Sequence, residues 1–358
     1  MSEQQGPGRV TIRDIAKRAG VSKGAVSYAL NGRPGVSEDT RARIVAIAQE
    51  LGWYPNRAAR ALSAARADAC GLVLARPANI LALEPFFMEF IAGVESELSA
   101  HSMALTIQLV KDTDEEIEVY RRWWGEHRVD GVLMVDLRVD DHRVDELVAL
   151  GLPAVVVGGP LEDNALPAVW HDERSVVMET VRYLAALGHE RIANVAGVSH
   201  FVHTMQRTEA FRSAMVELGL QPEVTATDYT PESGARVTRR LLSSPDPPTA
   251  IVFDSDLLAV TGLGVAQQMD FAVPDDVSIV GWDDSLISQV VHPPLTAITR
   301  DITEYGVTAT RHLLGALERQ TSENVETRRG ELTLRGSTTA PRPTARTRAG
   351  RRRTASVS

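Results

Sequence analysis

From Cys70 onward, short unbroken runs of valine, isoleucine and alanine recur with amphipathic stretches between them, and this alternation restricts most of the chain to the α/β class. The runs are CGLVLA from Cys70, ALTIQL from Ala104, GVLMVD from Gly131, PAVVVG from Pro153, RIANVAG from Arg191, AIVFD from Ala250 and VSIVGW from Val277. Successive strand side chains face opposite sides, so a strand with one wet face alternates apolar and polar residues. A run that is apolar on both faces is a strand of a parallel sheet covered by helices above and below. Two sets of such runs predict two lobes of parallel sheet flanked by helices. Open sheets of this kind bind ligands outside the carboxyl ends of their strands, so the cleft between the lobes is the natural pocket.

The segment before Cys70 has a different period. In TIRDIAKRAGVSKGAVSYALNG, Thr11 is placed to cap a helix with Asp14 three residues on, and Ile12, Ile15, Ala16 and Ala19 recur at spacings of three and four. Gly20 ends that helix, and Ser22 caps a second in which Val26, Ala29 and Leu30 point inward, stopped by Asn31-Gly32. A third helix is predicted from Ser37 to about Leu51, with Ile44, Ile47, Ala48 and Leu51 on one face. Two short helices about a tight glycine turn, closed by a third, make a helix-turn-helix. The exposed start of the second helix is then the part that can enter a major groove, which puts Lys23 and Gly24 nearest the base edges.

Charge is unevenly placed. The 358 residues carry a net charge of -9, yet residues 1–66 hold eleven Lys and Arg against five Asp and Glu, and residues 341–358 hold six Arg and no acid. A basic head on an acidic body suits a protein that presents one end to phosphate. The start MSEQQGPGRV lacks an apolar run after a basic stretch, and nowhere do about 18 uncharged apolar residues follow one another, so the expectation is a cytoplasmic, nucleoid-associated protein with no membrane partner. The single cysteine, Cys70, has no companion for a disulfide or a zinc site, and it reads as a buried core residue. No metal and no cofactor are expected.

The motifs TIRDIAKRAGVSKGAVSYALNG, VSEDTRARI and LGWYPNRAARALS resemble the head of lactose-repressor (LacI) family regulators. DGVLMVD, LAALGHERIANVAG, RTEAFRSAM, SDLLAVTGL, PDDVSIVGWDD and HPPLTAITRD follow the order of that family's regulator domain, which is similar to periplasmic sugar-binding proteins. The resemblance runs from about residue 10 to 338. It implies an all-α helix-turn-helix head joined to a two-lobed, periplasmic-binding-protein-like α/β domain. The expected divisions are a disordered 1–9, a DNA-binding domain over 10–55, a hinge helix and linker over 56–69, a regulator domain over 70–340 and a disordered basic tail over 341–358. The lobes are expected to comprise about 70–169 with 301–327, and about 170–300 with 328–340, because the family's chain crosses between lobes three times.

Carried over by motif, Asn56 to Ser63 would be a hinge helix that orders on DNA, with Ala59 kept as in the family and Leu62 wedging into the minor groove. An eight-residue helix is too short to hold by itself in water, and an apolar wedge that unstacks a base step fits such a hinge. Lys23, Gly24 and Tyr28 fall where bases are read. Thr11, Ser22, Ser27, Asn31, Arg33, Asn56 and Arg57 are placed for DNA contact, the serines, Asn31 and the arginines reading best as phosphate contacts. For the cleft, the resemblance points to Phe86, Phe87, Arg207, Tyr229, Ser255 and Asp283. Glu84 stands where asparagine is usual, Ala210 replaces a glycine, Ser255 replaces a common asparagine and Trp282 replaces a tyrosine. Arg207 and Asp283 would supply a donor fork and an acceptor for a hydroxyl-rich ligand, with the aromatics, Trp170 among the candidates, giving apolar faces. His189 reads as a turn residue.

The implied function is a regulator of catabolic or transport genes, a repressor by default, whose operator affinity changes when a small effector, a sugar by preference, binds between the lobes. A purine- or other metabolite-responsive corepressor-type regulator is the alternative. A homodimer reading a pseudo-palindromic operator matches a two-fold protein to a two-fold site. A carbohydrate-active enzyme would have to use the acids at 254–256 or 283–284. That reading has little support, because no P-loop, HExxH or GxSxG occurs and Gly262-Leu263-Gly264 falls inside a predicted helix. No catalytic residue is assigned.

Overall fold

The computed structural model describes residues 10–53, 66–77, 81, 83–160, 165–318 and 323–342. The chain divides into two compact units, Met1–Ala67 and Asp68–Ser358. The hinge segment with Asn56, Arg57, Ala59 and Leu62 lies outside the described residues.

The first unit contains α1 (Ile12–Ala19), α2 (Lys23–Leu30) and α3 (Glu38–Glu50). Each start is fixed by its own chemistry: Asp14 accepts from the Thr11 N–H at 2.9 Å, Ser22 Oγ from the Ala25 N–H at 3.1 Å, and Ser37 Oγ from the Thr40 N–H at 3.4 Å. These bonds satisfy amides that a helix leaves unpaired at its first turn. Ile15, Val26, Ala29, Ile44 and Ala48 meet in a buried core, with Ile47, Leu51 and Trp53 packed against its edge. Arg41, from α3, donates to the carbonyls of Ala29 and Arg33 at 2.9 Å and so ties the loop after α2 to the third helix.

The second unit holds two six-stranded sheets. In the first lobe, β1 (Ala69–Leu74), α4 (Pro85–Ala100), β2 (Ala104–Leu109), α5 (Thr113–Gly125), β3 (Gly131–Met134), α6 (His142–Leu150), β4 (Ala154–Val157) and β5 (Ala168–Trp170) follow in order. In the second come α7 (Glu173–Ala186), β6 (Ile192–Ala196), α8 (Val202–Glu217), β7 (Glu223–Ala226), α9 (Pro231–Leu242), β8 (Ala250–Phe253), α10 (Asp256–Gln268), β9 (Ser278–Asp283), α11 (Leu286–Val290) and β10 (Thr296–Thr299). The chain then returns through α12 (Ile302–Leu317) and β11 (Val325–Glu326) to the first lobe, and ends with β12 (Glu331–Thr333) in the second.

Strand order is β11-β5-β4-β3-β1-β2 in one sheet and β12-β10-β9-β8-β6-β7 in the other. Every pairing is parallel except that of β12 with β10. The seven strands expected from apolar runs are all present. The others, β5, β7, β10, β11 and β12, are at most four residues long. β7, the edge of its sheet, reads EVTA with no residue fully buried, so no apolar run marks it. α4 and α12 cover one face of the first sheet around Phe90, Val94, Ile302 and Leu313.

Candidate functional site

On the head, α2 presents one continuous polar face. Ser22, Lys23, Gly24, Tyr28, Asn31 and Arg33 are exposed and Ser27 is half-buried, while Val26 and Ala29 are turned into the core. The 3.6-residue period thus separates the residues that hold the head together from those free to touch DNA. Asn31 closes the helix by donating to the Ser27 carbonyl at 2.9 Å. Thr11, at the start of α1, is exposed as well.

The cleft is built at strand ends. Arg76 lies two residues past β1, Asp136 two past β3, Gly158 just after β4, Tyr229 beyond β7, Asp254 just after β8, Asp283 at the end of β9 and Arg300 just after β10. All of them line one cavity of about 90 Å³, several times the roughly 10–15 Å³ a single water needs. Glu84, Phe86 and Phe87 at the start of α4, Glu173 of α7, His203 and Arg207 of α8, and Tyr305 of α12 complete the wall.

The two lobes meet at its rim. The Val202 N–H donates to the Leu137 carbonyl at 2.8 Å, and the Val139 N–H to the His200 carbonyl at 3.1 Å. Arg76, from the first lobe, lies 5.0 Å from the Phe201 ring and 5.1 Å from the Tyr229 ring of the second, a cation against two aromatic faces.

Charge inside the cavity is organised in pairs. Arg76 grips Asp136 through Nε and Nη2 at 2.6 and 2.8 Å. Arg207 grips Glu173 at 2.6 and 3.2 Å and stacks on Trp282, its guanidinium 3.9 Å from the ring centre. Arg300 donates to Asp283 at 2.7 Å and to Glu173 at 3.0 Å. Burial by itself would raise the Glu173 carboxyl, but Arg207 and Arg300 outweigh it and hold the group near 2. Asp136 is likewise held below the usual range, the Arg76 charge winning over burial. Asp254 is raised by burial although Asn194 and the Gly197 N–H both donate to it. His203, pushed down to about 3 by burial and then by the Arg207 charge, is neutral and shares a 3.1 Å hydrogen bond with the Tyr229 hydroxyl.

Three wall residues sit in the left-handed backbone region, Asp136 at φ 53°, Tyr229 at φ 64° and Asp283 at φ 85°, a conformation side chains rarely adopt and one that collects at functional sites. The Tyr229 ring passes so close to Gly197 that a Cβ there would lie 1.9 Å from its Cζ, so only glycine fits. The Asp283 turn is held by Asp256, which accepts from the Trp282 N–H at 3.0 Å, the Ser285 N–H at 2.6 Å and the Ser285 hydroxyl at 2.7 Å.

The cavity brings together Phe86, Phe87, Arg207, Tyr229, Ser255 and Asp283. Arg207 and Asp283 do not face each other as a bare fork and acceptor, since Arg207 is paired with Glu173 and Asp283 with Arg300. Trp170 is placed elsewhere: half-buried at the end of β5, it borders a separate cavity beside Gly159 and Pro160. His189 joins the turn between α7 and β6 to Thr249 Oγ1 and the Thr339 carbonyl, both at 2.9 Å. Sequence reasoning missed Arg76, Asp136, Asp254, Glu173, His203, Arg300 and Tyr305. The first three immediately follow the apolar runs, so the strand-end rule was the available signal. The others come from crossover segments and helices with no local mark. Asp254 and Asp256, weighed as paired acids, serve Asn194 and Gly197 in one case and the Asp283 turn in the other. Arg342, counted with the basic tail, pairs with Asp275 and Asp276 at 2.7 Å.

A helix-turn-helix head on a two-lobed α/β unit with a polar, aromatic cavity at its strand ends defines a ligand-responsive DNA-binding regulator. Residues 11–56 match the model for bacterial regulatory proteins of the lacI family, and residues 181–338 match the periplasmic binding protein-like domain. The HTH-type transcriptional regulator AglR of Rhizobium meliloti (strain 1021) is 33% identical over 342 residues, 92% of this chain and 94% of that protein. The HTH-type transcriptional regulator CelR of Thermobifida fusca is 32% identical over 322 residues, 88% of this chain and 94% of its own. Among solved structures, the lac repressor dimer bound to operator and the anti-inducer ONPF superposes with a TM-score of 0.82 at 25% identity, covering 93% of this chain and all of that one. The complex of transcriptional regulator CelR with cellobiose superposes with a TM-score of 0.70 at 30% identity, over 92% of this chain and all of that one. The chain belongs to the LacI family of bacterial regulatory proteins. It is a DNA-binding transcriptional regulator and not an enzyme. No helix among the described residues is long and apolar enough to cross a membrane.

Proposed function

We propose that this regulator is a cytoplasmic, nucleoid-associated homodimeric repressor of catabolic or transport genes, released from a pseudo-palindromic operator by a sugar held between its lobes. The observation that carries the effector is the cavity itself. Phe86, Phe87 and Tyr229 offer flat apolar faces, while planar guanidinium and carboxylate groups stand around them in fixed geometry, the combination that suits a ring whose faces are apolar and whose edge carries hydroxyls. Because both lobes contribute wall residues, a bound ligand is held best when the lobes are together, and it stabilises that arrangement by its differential affinity.

Dimerisation is supported by apolar side chains left in water on both lobes: Leu83 and Met88 at the start of α4, and Leu286 and Val290 on α11, the last two 72% and 69% exposed. Two copies would set two α2 helices against two half-sites, with Lys23 and Tyr28 reading bases and Ser22, Ser27, Asn31 and Arg33 holding phosphates. Gly24 offers no side chain to a base, so part of the selectivity would come from DNA shape.

The test is binding-site selection from random DNA with the full-length protein, followed by titration of the selected duplex with and without sugars. The expected result is a two-fold-symmetric site whose affinity falls roughly 5- to 150-fold with the right sugar, the range of typical coupling between sites. Selected DNA without two-fold symmetry removes the dimer reading. Purines that release or tighten binding where no sugar does remove the sugar.

A further inference from the structure

Among the described residues that line the cavity, Glu84 is the one with a fully buried side-chain oxygen left without a hydrogen-bond partner. It occupies the cap position of α4, yet its carboxylate makes no cap bond to the helix and lines the cavity, 6% exposed. Ser255, from the opposite lobe, interacts favourably with its carboxylate, while Oε2 has no hydrogen-bond partner among the described residues. A buried acceptor without a donor keeps the cost of its lost hydration, so this oxygen gains strongly from any donor that arrives.

The rest of the wall decides what kind of donor that is. Each arginine lining the cavity already has its carboxylate: Arg76 with Asp136, Arg207 with Glu173, Arg300 with Asp283 and Glu173. Five carboxyl groups face three guanidinium groups there. A phosphate or carboxylate on a ligand would find no uncommitted cation, and would meet Glu84 and Asp283, two acids close enough that the Asp283 charge adds to burial in raising Glu84 to about 7. An uncharged hydroxyl, in contrast, can donate to Glu84 Oε2 and accept from an arginine without breaking a pair.

We propose that Glu84 is a specificity-determining residue that accepts a hydrogen bond from a hydroxyl of an uncharged sugar and excludes phosphorylated and acidic sugars from the cleft. This rests on the sugar reading given above. It adds which chemical class of sugar is read, and which residue reads it.

The test is calorimetry on the full-length protein with D-glucose, D-galactose, cellobiose and maltose, and beside them glucose 6-phosphate, galactose 6-phosphate, glucuronate and galacturonate. Each is measured at about pH 8, above the value near 7 at which Glu84 gains its charge, on the natural protein and on Glu84→Gln, whose fold is checked by its melting curve; there the substitution keeps the shape and removes a buried charge. At least one uncharged sugar is expected to bind, with the charged sugars bound at least 10-fold more weakly. Glu84→Gln is expected to weaken the uncharged sugar roughly 10- to 100-fold, as for loss of a hydrogen bond to a charged group. A phosphorylated or acidic sugar that binds as tightly as the best uncharged one, or a Glu84→Gln protein with unchanged affinity, overturns the assignment while leaving the sugar reading in place. If none of the eight sugars binds, the sugar reading falls and this assignment falls with it.

Discussion

The head and the cleft solve opposite problems. On and just after α2 the side chains offered to DNA, Lys23, Tyr28 and Arg33, are in water, while a handful of apolar side chains beneath them hold the helix in place. In the cleft the residues offered to a ligand are buried and bonded to each other, so Arg207, Glu173, Arg300 and Asp283 are at once the site and its framework. The lesson is about separability. A side chain offered to DNA can be changed chiefly for its effect on DNA, whereas changing a paired cleft residue also strips its buried partner.

That contrast can be broken by experiment. The largest effect is expected from Glu173→Gln, which strips the counter-charge from two buried guanidinium groups. Breaking a buried pair costs about 3–5 kcal/mol, read as a fall in the urea midpoint. The same group predicts a pH signature. Its folded value, near 2, lies below the ordinary 4.5, so its stabilisation is present above pH 4.5 and is lost as pH falls toward 2. The gap between natural protein and variant should therefore narrow over that window, and a gap constant with pH would mean that Glu173 is not held as an anion.

Glu84 should behave the other way. Its folded value is raised to about 7 by burial and then by Asp283, so the protonated form favours the fold below pH 4.5 and that advantage disappears as pH rises through 7. Without ligand, Glu84→Gln is expected to gain on the natural protein between pH 4.5 and 8, by up to about 3 kcal/mol if the full shift is realised. Equal differences at both pH values would place Glu84 in an environment much like water. Two buried carboxylates with opposite pH signatures in one cleft would show pairing, and not depth, as the deciding variable.

For the head side chains offered to DNA, the effects should appear in binding and not in stability. Lys23→Ala is expected to change which base is preferred at one position of the selected site, by about 1–3 kcal/mol of discrimination. Arg33→Ala is expected to weaken all sites alike and to lower the salt slope by about 1. If instead Arg33 alters preference and Lys23 does not, the two roles are exchanged. The smallest effect is expected at Gly24, where an added Cβ would meet nothing nearer than Ser22 Oγ at 3.8 Å. Gly24→Ala should stabilise the head by about 0.5–1 kcal/mol through helix propensity, visible as a few degrees in its melting temperature.

How much of this was readable in the chain follows the same divide. Caps and apolar periods acting over four residues placed α1, α2 and α3 and turned Lys23 and Tyr28 outward, because a helix is defined by neighbours in sequence. The apolar runs marked seven strands, and the rule that sheets bind ligands at their carboxyl ends was the signal available for Arg76, Asp136 and Asp254, while Asp283 came from the family resemblance. β7, β11 and β12 escaped because short, exposed strands carry no apolar run, and β5 and β10, buried inside their sheets, because runs of three and four residues such as AVW and TAIT are too short to stand out. The pairing of Arg207 with Glu173 rather than with Asp283, the use of Arg300 to join Asp283 to Glu173, and the orphan oxygen of Glu84 were decided only by the tertiary structure. The bonded partners among Arg207, Glu173, Arg300 and Asp283 are 17 to 127 residues apart along the chain. Which of several buried charges finds which partner is a matter of distance and low dielectric inside a folded cleft, and no local pattern along the chain carries that information.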